Sequence, residues 1–254
     1  MAATKLPNDI TSEEFQTALD QYDQIIEAVS ASKGAKPGQK TLSELDSYRY
    51  TDAPNRFSLN QASQPMRLQD VQSLVEWKLK HGKFRPTLMK LVASNEASFT
   101  ENTIRDAVGL YKKNLDATAA VDTLVKLKGI GPATASLLLA VHDPENVIFF
   151  ADEAFYWLCS GGRQAPIKYN AKEYKELNTK SQALARRLNV EAIDVERVAY
   201  VLMNGTKSDG QTEAHPAHSK DIPEVKKTAP TKRKQANSLE EAPGPRRSKR
   251  GKHV

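Results

Sequence analysis

The segment LKGIGPATASLLLAVH, residues 127–142, constrains the fold of this chain more than any other stretch. From Pro132 onward it is apolar on nearly every side, which predicts a helix buried in a core. Just before that helix, Gly129 and Gly131 flank one aliphatic residue, Ile130. Glycine tolerates positive φ and lets a ligand approach the backbone closely, and proline suits the first turn of a helix. The segment therefore predicts two helices joined by a tight turn that contains both glycines.

A turn of this kind suits an anion, because the first N–H groups of a helix have no acceptor within the helix. Helix-hairpin-helix turns hold the phosphate backbone of a nucleic acid in this way, without reading base sequence. The alternative is a purely structural turn, since Gly-x-Gly is common and a short motif alone is weak. The predicted nucleic-acid contacts at the turn are Gly129, Ile130, Gly131, Ala133 and Thr134.

Helical periodicity recurs along most of the chain and predicts an all-α fold. Residues 11–14, TSEE, form a capping-box pattern ahead of an apolar stripe, which predicts a helix near the N-terminus. The apolar run at residues 147–150 is too short to establish a strand. Further helices are predicted at residues 68–81, 100–115, 117–127, 132–142, 153–159, 171–188 and 195–203.

Changes in composition divide the chain into four predicted parts. Residues 1–31 form an amphipathic helix that docks either on the rest of the chain or on a partner protein. Residues 32–66 form a linker and an irregular segment, because Gly, Pro and polar residues break the periodicity. Residues 67–205 form the helical domain. Residues 206–254 form a disordered basic tail, because they hold almost no large apolar side chains.

The tail carries the whole net charge of +6. Residues 206–254 hold 12 Lys and Arg against 6 Asp and Glu, whereas residues 1–205 hold 25 of each. Any basic surface on the helical domain must therefore be local. Clustered basic residues in the tail are typical of a nuclear-import signal or of an arm that binds DNA non-specifically, and the bland alternative is a tail that only aids solubility. The first interpretation is the import signal, which predicts a nuclear location and an import receptor as a partner. The predicted import residues are Lys232, Arg233, Lys234, Arg246, Arg247, Lys249 and Arg250.

Several other classes of protein are excluded by composition. The single cysteine, Cys159, rules out an internal disulfide and a multi-cysteine metal centre, and we predict neither a metal nor a cofactor. No stretch approaches the roughly 20 apolar residues of a membrane-spanning helix. Residues 1–10 lack the apolar core of a signal peptide. The sequence therefore predicts a soluble, intracellular protein.

The segments LKGIGPATASLLLAV and VIFFADEAFYWL together resemble the helix-hairpin-helix DNA glycosylases, over residues 124–158. In that superfamily a catalytic aspartate at a helix start follows the hairpin, and Asp152 stands at that position. The resemblance implies an all-helical fold, phosphate binding by the hairpin, and Asp152 as the acid that stabilises a sugar cation or activates water after base flipping. Ala133 replaces the lysine with which bifunctional members form a Schiff base, so lyase chemistry by that route is not expected.

Asp152 has a structural alternative, which is to cap the helix that it begins. Asp is among the best N-cap residues, and Glu153 would suit the first turn of such a helix. Catalytic and capping aspartates both lie at helix starts, so the sequence leaves both roles open. In the catalytic role, Tyr156, Trp157 or Trp77 would line the pocket for the base.

Residues 77–86, WKLKHGKFRP, interleave basic and aromatic side chains. Such a pattern can follow phosphates while a ring stacks on a base or wedges between two bases. The alternative is a Trp77 that fills the core beside ordinary solvated charges. Together with GIGPATAS, this motif also resembles a eukaryotic family, and that second resemblance assigns no reaction. The predicted contacts are Lys78, Lys80, Lys83 and Arg85.

The sequence thus supports three functional hypotheses. The first is a nuclear protein that binds duplex DNA through the hairpin, independently of base sequence. The second is a monofunctional DNA glycosylase with Asp152 as its catalytic acid. The third is a non-catalytic module that binds another protein through its N-terminal helix.

Overall fold

The computed structural model describes residues 5–60 and 64–205, and these residues form helices and turns but no strand. The predicted all-α class is therefore confirmed. The described residues belong to one compact unit. Their helices are α1 (Ser12–Asp20), α2 (Tyr22–Lys33), α3 (Leu42–Ser47), α4 (Ala53–Phe57), α5 (Leu68–His81), α6 (Leu88–Ala93), α7 (Ala97–Asn114), α8 (Ala117–Leu124), α9 (Pro132–His142), α10 (Asp152–Cys159), α11 (Ala171–Leu188) and α12 (Ala192–Asn204).

Helix α9 lies in the core, as its apolar sequence predicts, and every residue from 133 to 142 is buried. Residues 147–150 run beside it as a buried, non-helical segment. Ser136 joins the two, because its Oγ accepts a hydrogen bond from the N–H of Phe150 at 2.9 Å and donates one to the carbonyl of Ala133 at 3.0 Å. This pair of bonds fixes the start of α10 relative to the start of α9.

The N-terminal apolar stripe forms two helices, α1 and α2, rather than the single helix predicted, and they are separated at Gln21. The predicted capping box is present, with Thr11 and Glu14 bonded to each other's backbone N–H at 3.2 and 3.0 Å. Phe15 and Ile26 are buried, α1 packs against α12, and α2 packs against α3. The stripe therefore docks within the chain, in the same compact unit as the later helices.

Residues 42–57 are helical, which corrects the prediction of an irregular segment. Helix α3 continues through a π-helical turn, Tyr48–Asp52, directly into α4. In that turn the Arg49 guanidinium is fully buried and lies 3.3 Å from the Glu196 carboxylate, which also accepts a hydrogen bond from the Tyr50 hydroxyl at 2.7 Å. The composition could not predict this helix, because the group that holds its buried charge lies in α12.

The described residues were also compared with the expectations about membrane spans and metal sites. None of the helices in residues 5–60 and 64–205 is long and apolar enough to cross a bilayer. Those same residues contain no group of three or more His, Cys, Asp and Glu side chains that could hold a metal ion. The predicted tail and import residues, 206–254, lie outside the described residues.

Candidate functional site

A cleft of about 550 Å³ is lined by the connection between α5 and α6 and by the starts of α9 and α10. We call it the basic cleft, because basic side chains outnumber carboxylates in its described lining. The carboxylates are those of Asp152 and Glu153, and the basic side chains are those of Lys33, Lys78, Lys83 and Arg85. The cleft brings together residues that are far apart in sequence. Of the predicted contacts, Gly129, Gly131, Ala133, Thr134, Lys78, Lys83, Arg85 and Asp152 line it, whereas Ile130 and Lys80 do not.

The connection from α8 to α9, residues 125–131, is called the glycine turn. Gly129 has φ +77°, and a Cβ atom there would lie 3.0 Å from Leu91 Cβ and 3.2 Å from the backbone nitrogen of Val92. Only glycine fits this position without strain. Gly131 has φ −91°, and a Cβ atom there would meet nothing within 4 Å. The first glycine is therefore required by packing, whereas the second leaves open space beside the cleft.

Asn95 holds the glycine turn from behind. Its side-chain oxygen accepts a hydrogen bond from the N–H of Lys128 at 2.8 Å, and its nitrogen donates to the carbonyl of Lys128 at 2.9 Å and to that of Val92 at 2.9 Å. Asn95 is buried, so these bonds are shielded from water. This role of Asn95 is not among the predicted ones. The only signal in the sequence is an asparagine between two helical patterns.

The start of α9 presents two free backbone donors. The N–H groups of Gly131 and Ala133 have no hydrogen-bond acceptor within the part of the chain that the structure describes. The next two residues, Thr134 and Ala135, both donate to the carbonyl of Gly131 at 2.9 Å. Pro132 has no backbone N–H, so it needs no hydrogen-bond acceptor at this end of the helix. Unpaired N–H groups at a helix N-terminus form an anion site, and here both belong to residues that line the cleft.

Ile130, between the two glycines, faces the protein interior. Its side chain is only 4% exposed, and its N–H donates to the carbonyl of Leu127 at 3.1 Å. The buried side chain anchors the glycine turn to the core. Ile130 therefore supports the glycine turn by packing and does not line the cleft.

Asp152 is the first residue of α10, but it does not cap that helix. The N-cap is Ala151, and no side chain caps α10. The carboxylate of Asp152 instead lies 3.0 Å from the ammonium group of Lys83 and accepts a hydrogen bond from the hydroxyl of Tyr169. Its side chain is 22% exposed. Asp152 is therefore held on the wall of the cleft by side chains from two other segments.

Tyr169 reaches Asp152 from a strained backbone conformation. Its φ is +53°, which a bulky residue rarely adopts. The Glu173 carboxylate accepts a hydrogen bond from the N–H of Tyr169 at 2.8 Å and so holds the segment in place. Outliers of this kind cluster at functional sites, where the surrounding structure compensates the cost. Nothing local in the sequence marks Tyr169 as part of the site.

The cations of the basic cleft differ in their surroundings. The hydrogen bond to Asp152 raises the pKa of Lys83, whereas burial and the nearby charge of Arg85 lower the pKa of Lys78 to about 8. Lys33, which sequence analysis also missed, donates to the carbonyl of Lys80. Lys80 itself turns away from the cleft, pairs with Glu76 at 3.2 Å and donates to a backbone carbonyl.

The aromatic residues of the cleft are not the predicted ones. Trp77 and Trp157 are fully buried, and their indole N–H groups donate to Asp46 and to the carbonyl of Lys5, both at 2.8 Å. Tyr156 is half-buried and does not line the cleft. The core interpretation of Trp77 is therefore the correct one. The rings that do line the cleft are those of Phe149, Phe150, Tyr169 and Tyr200, together with the imidazole of His81.

Taken together, the described residues define an all-α protein whose cleft combines free backbone donors, several cations and one carboxylate held by side chains. Comparison of the chain with protein-family models, curated proteins and solved structures gives no match. Its function must therefore be inferred from the residues of the cleft.

Proposed function

We propose that this protein binds the phosphate backbone of duplex DNA in the basic cleft, with the glycine turn and the start of α9 acting as a helix-hairpin-helix clamp. The observation that carries this proposal is the pair of free N–H groups at Gly131 and Ala133, at the positive end of a buried helix. Backbone donors contact phosphate oxygens without reading bases. The binding is therefore independent of sequence.

The opposite wall of the cleft supports the same proposal. Lys83 and Arg85 follow α5 on an exposed connection and supply positive charge at the cleft. Phe84, between them, does not line the cleft, but its ring is 75% exposed and so is accessible to a bound ligand. An aromatic ring between two phosphate-binding cations can stack on a base or wedge between two bases. The two walls thus supply backbone donors and cations to one duplex, and the connection after α5 adds the exposed ring of Phe84.

The salt dependence of DNA binding tests this proposal. We expect the full chain to bind a labelled 20-base-pair duplex more weakly as KCl rises, because bound cations release counterions. Replacing Arg85→Gln should reduce the magnitude of the slope of log Kd against log salt by about 1, as expected for one lost phosphate contact. Fluorescence anisotropy at several salt concentrations measures both quantities.

The matched control is Arg197→Gln, which removes an arginine that lines another cavity. We expect it to leave the slope unchanged. An equal change of slope in both variants would mean that net charge, and not the cleft, governs binding.

A second candidate function is the removal of a base from DNA, and the geometry of Asp152 favours it. The carboxylate does not cap α10 and instead lines a cleft large enough for a flipped base, whose lining also includes Phe149, Phe150 and Tyr169. With Ala133 at the position of the family's lysine, hydrolysis with Asp152 as the acid is the expected chemistry.

This second function predicts that base release from one of a panel of duplexes with damaged or mismatched bases is lost in Asp152→Asn. Binding should change less than threefold, because the amide keeps the shape of the side chain. The matched control, Asp122→Asn, alters an exposed aspartate outside the cleft. A panel from which the wild-type chain releases no base would refute the second function and leave the clamp intact.

A further inference from the structure

A second cavity, of about 520 Å³, forms where the start of α12 meets the turn after α9. The N–H of Ala192 donates to the carbonyl of Glu145 at 2.9 Å, and this bond holds the two segments together. The described lining holds one guanidinium and four carboxylates, which are those of Arg197, Asp143, Glu145, Glu191 and Asp194. With His142 neutral, the cavity therefore carries three more negative charges than positive ones.

Acidic side chains alone do not define a binding site. Glu191 and Asp194 lie at the start of α12, where the helix dipole favours carboxylates. Asp143 is satisfied within the fold, because it accepts a hydrogen bond from the Tyr111 hydroxyl at 2.6 Å. Glu191, however, forms no ion pair within the described residues, and burial together with the charges of Asp194 and Glu145 raises the pKa of its carboxyl. The repulsion among these carboxylates is therefore not fully compensated.

His142 is the independent observation that points to a ligand. It lines the cavity, and only 6% of the residue is exposed. Its Nδ1 lies 2.8 Å from the carbonyl of Leu138, and since a carbonyl can only accept, Nδ1 carries the proton and Nε2 a lone pair. Within the part of the chain that the structure describes, no group donates to Nε2, and this nitrogen is not among the enclosed atoms that lack a partner. Nε2 is therefore a free acceptor that is open to the cavity.

The carboxylates are spread over the cavity rather than gathered at one point. Within residues 5–60 and 64–205, no three His, Cys, Asp or Glu side chains are placed to hold a metal ion. A ligand that compensates the carboxylates must therefore carry several positive charges along its length. Leu115, which is 71% exposed, and the half-buried Leu59 line the same cavity and offer apolar contact to the chain between those charges. A linear polyamine, in which methylene chains separate the ammonium groups, has this form.

We propose that the second cavity binds a linear polyamine such as spermidine, with one ammonium group donating to Nε2 of His142 and the others pairing with the carboxylates of Glu145 and Glu191. An ammonium group has only donors, so it suits a lone pair and a carboxylate alike. The three charges of spermidine equal the charge excess of the lining, whereas one basic side chain of a partner protein would leave two carboxylates uncompensated. The inference goes beyond the proposed function, because no described residue lines both this cavity and the basic cleft.

Calorimetric titration of the full chain with spermidine, without DNA, tests this proposal. The titration is made at pH 7.5, where His142 is neutral because burial lowers its pKa to about 4. We expect one spermidine to bind per chain. Putrescine, which has two ammonium groups, should bind about fivefold more weakly, and Glu191→Gln should weaken spermidine binding about threefold. The matched control, Glu27→Gln, alters an exposed carboxylate of α2 outside the cavity and should leave the Kd unchanged.

The role of His142 is tested separately. His142→Phe removes the acceptor but keeps an aromatic ring, so it should weaken spermidine binding about fivefold, and circular dichroism shows whether the variant folds. A second readout needs no variant, because the Nε2 resonance of His142 in ¹H–¹⁵N NMR spectra of the wild type should shift as spermidine is added.

Three results would overturn the inference. The first is no binding of spermidine, or an Nε2 resonance that stays fixed while spermidine binds. The second is equal affinity of Glu191→Gln and Glu27→Gln for spermidine. The third is an arginine-rich peptide that binds more tightly than spermidine and displaces it, because the occupant would then be a partner protein. Each of these results would leave the proposed binding of DNA intact.

Discussion

The basic cleft and a second cavity have nearly the same volume, about 550 and 520 Å³, but opposite charge. The second cavity, which we call the acidic groove, is lined by one guanidinium, that of Arg197, and by the carboxylates of Asp143, Glu145, Glu191 and Asp194. Residues 1–205 balance their charges overall, yet the structure separates those charges between two surfaces. Net charge is therefore a poor guide to where this protein could meet a polyanion.

The two cavities also differ in how their carboxylates are stabilised. In the acidic groove, burial raises the pKa of Glu191 and Asp194, and neighbouring carboxylates raise that of Glu191 further. In the basic cleft, Lys83 compensates Asp152 directly. A phosphate placed in the groove would add to an existing repulsion, whereas the cleft offers cations and free N–H groups. Of the two cavities, the basic cleft is therefore the one that suits the proposed binding of DNA.

The largest expected effect is a loss of unfolding free energy at low pH, caused by His142 in the acidic groove. This buried histidine lines the groove, its Nδ1 lies 2.8 Å from the carbonyl of Leu138, and burial lowers its pKa to about 4. The folded pKa is below the unfolded value of about 6.5, so stability present above pH 6.5 is lost as pH falls toward 4. Between pH 7.5 and 4, wild type should lose about 3 kcal/mol more unfolding free energy than His142→Gln.

Urea denaturation of both proteins at the two pH values measures this difference. The carboxylates with raised pKa titrate equally in both chains, so they cancel in the comparison. Equal losses in wild type and variant would show that His142 is not buried in its neutral form. The acidic groove would then hold no histidine that makes the stability of the fold depend on pH.

A smaller effect is expected behind the glycine turn, from Asn95→Ala. The substitution leaves the N–H and the carbonyl of Lys128 without their side-chain partner, which should cost about 1–2 kcal/mol of unfolding free energy. The freed glycine turn should also bind duplex DNA about fivefold more weakly. Asn102→Ala, at an exposed asparagine of α7, is the matched control and should change stability by about 0.5 kcal/mol or less. Weakened stability with unchanged DNA binding would show that the turn does not take part in binding.

The sequence could predict features that lie within one short segment but not contacts between distant segments. The glycine turn and α9 were predictable, because a short run of residues holds the glycines, the proline and the apolar face. The bonds from Asn95 to Lys128, the approach of Lys33 to the cleft and the contact of Tyr169 with Asp152 were not, because each joins segments that only the fold brings together. Trp77 was ambiguous for the same reason, since helical spacing alone does not show which side faces the core.

Replacement of the second glycine tests the central claim most directly. Gly131 tolerates a side chain without a clash, so Gly131→Glu should fold normally and place a carboxylate beside the free N–H groups of α9. Gly109→Glu is the matched control, because Gly109 is exposed on α7 and its Cβ position is equally open. We expect Gly131→Glu to weaken duplex binding at least tenfold in anisotropy titrations, and Gly109→Glu to change it less than twofold. Equal affinities for the two variants would contradict the claim that the glycine turn clamps phosphate.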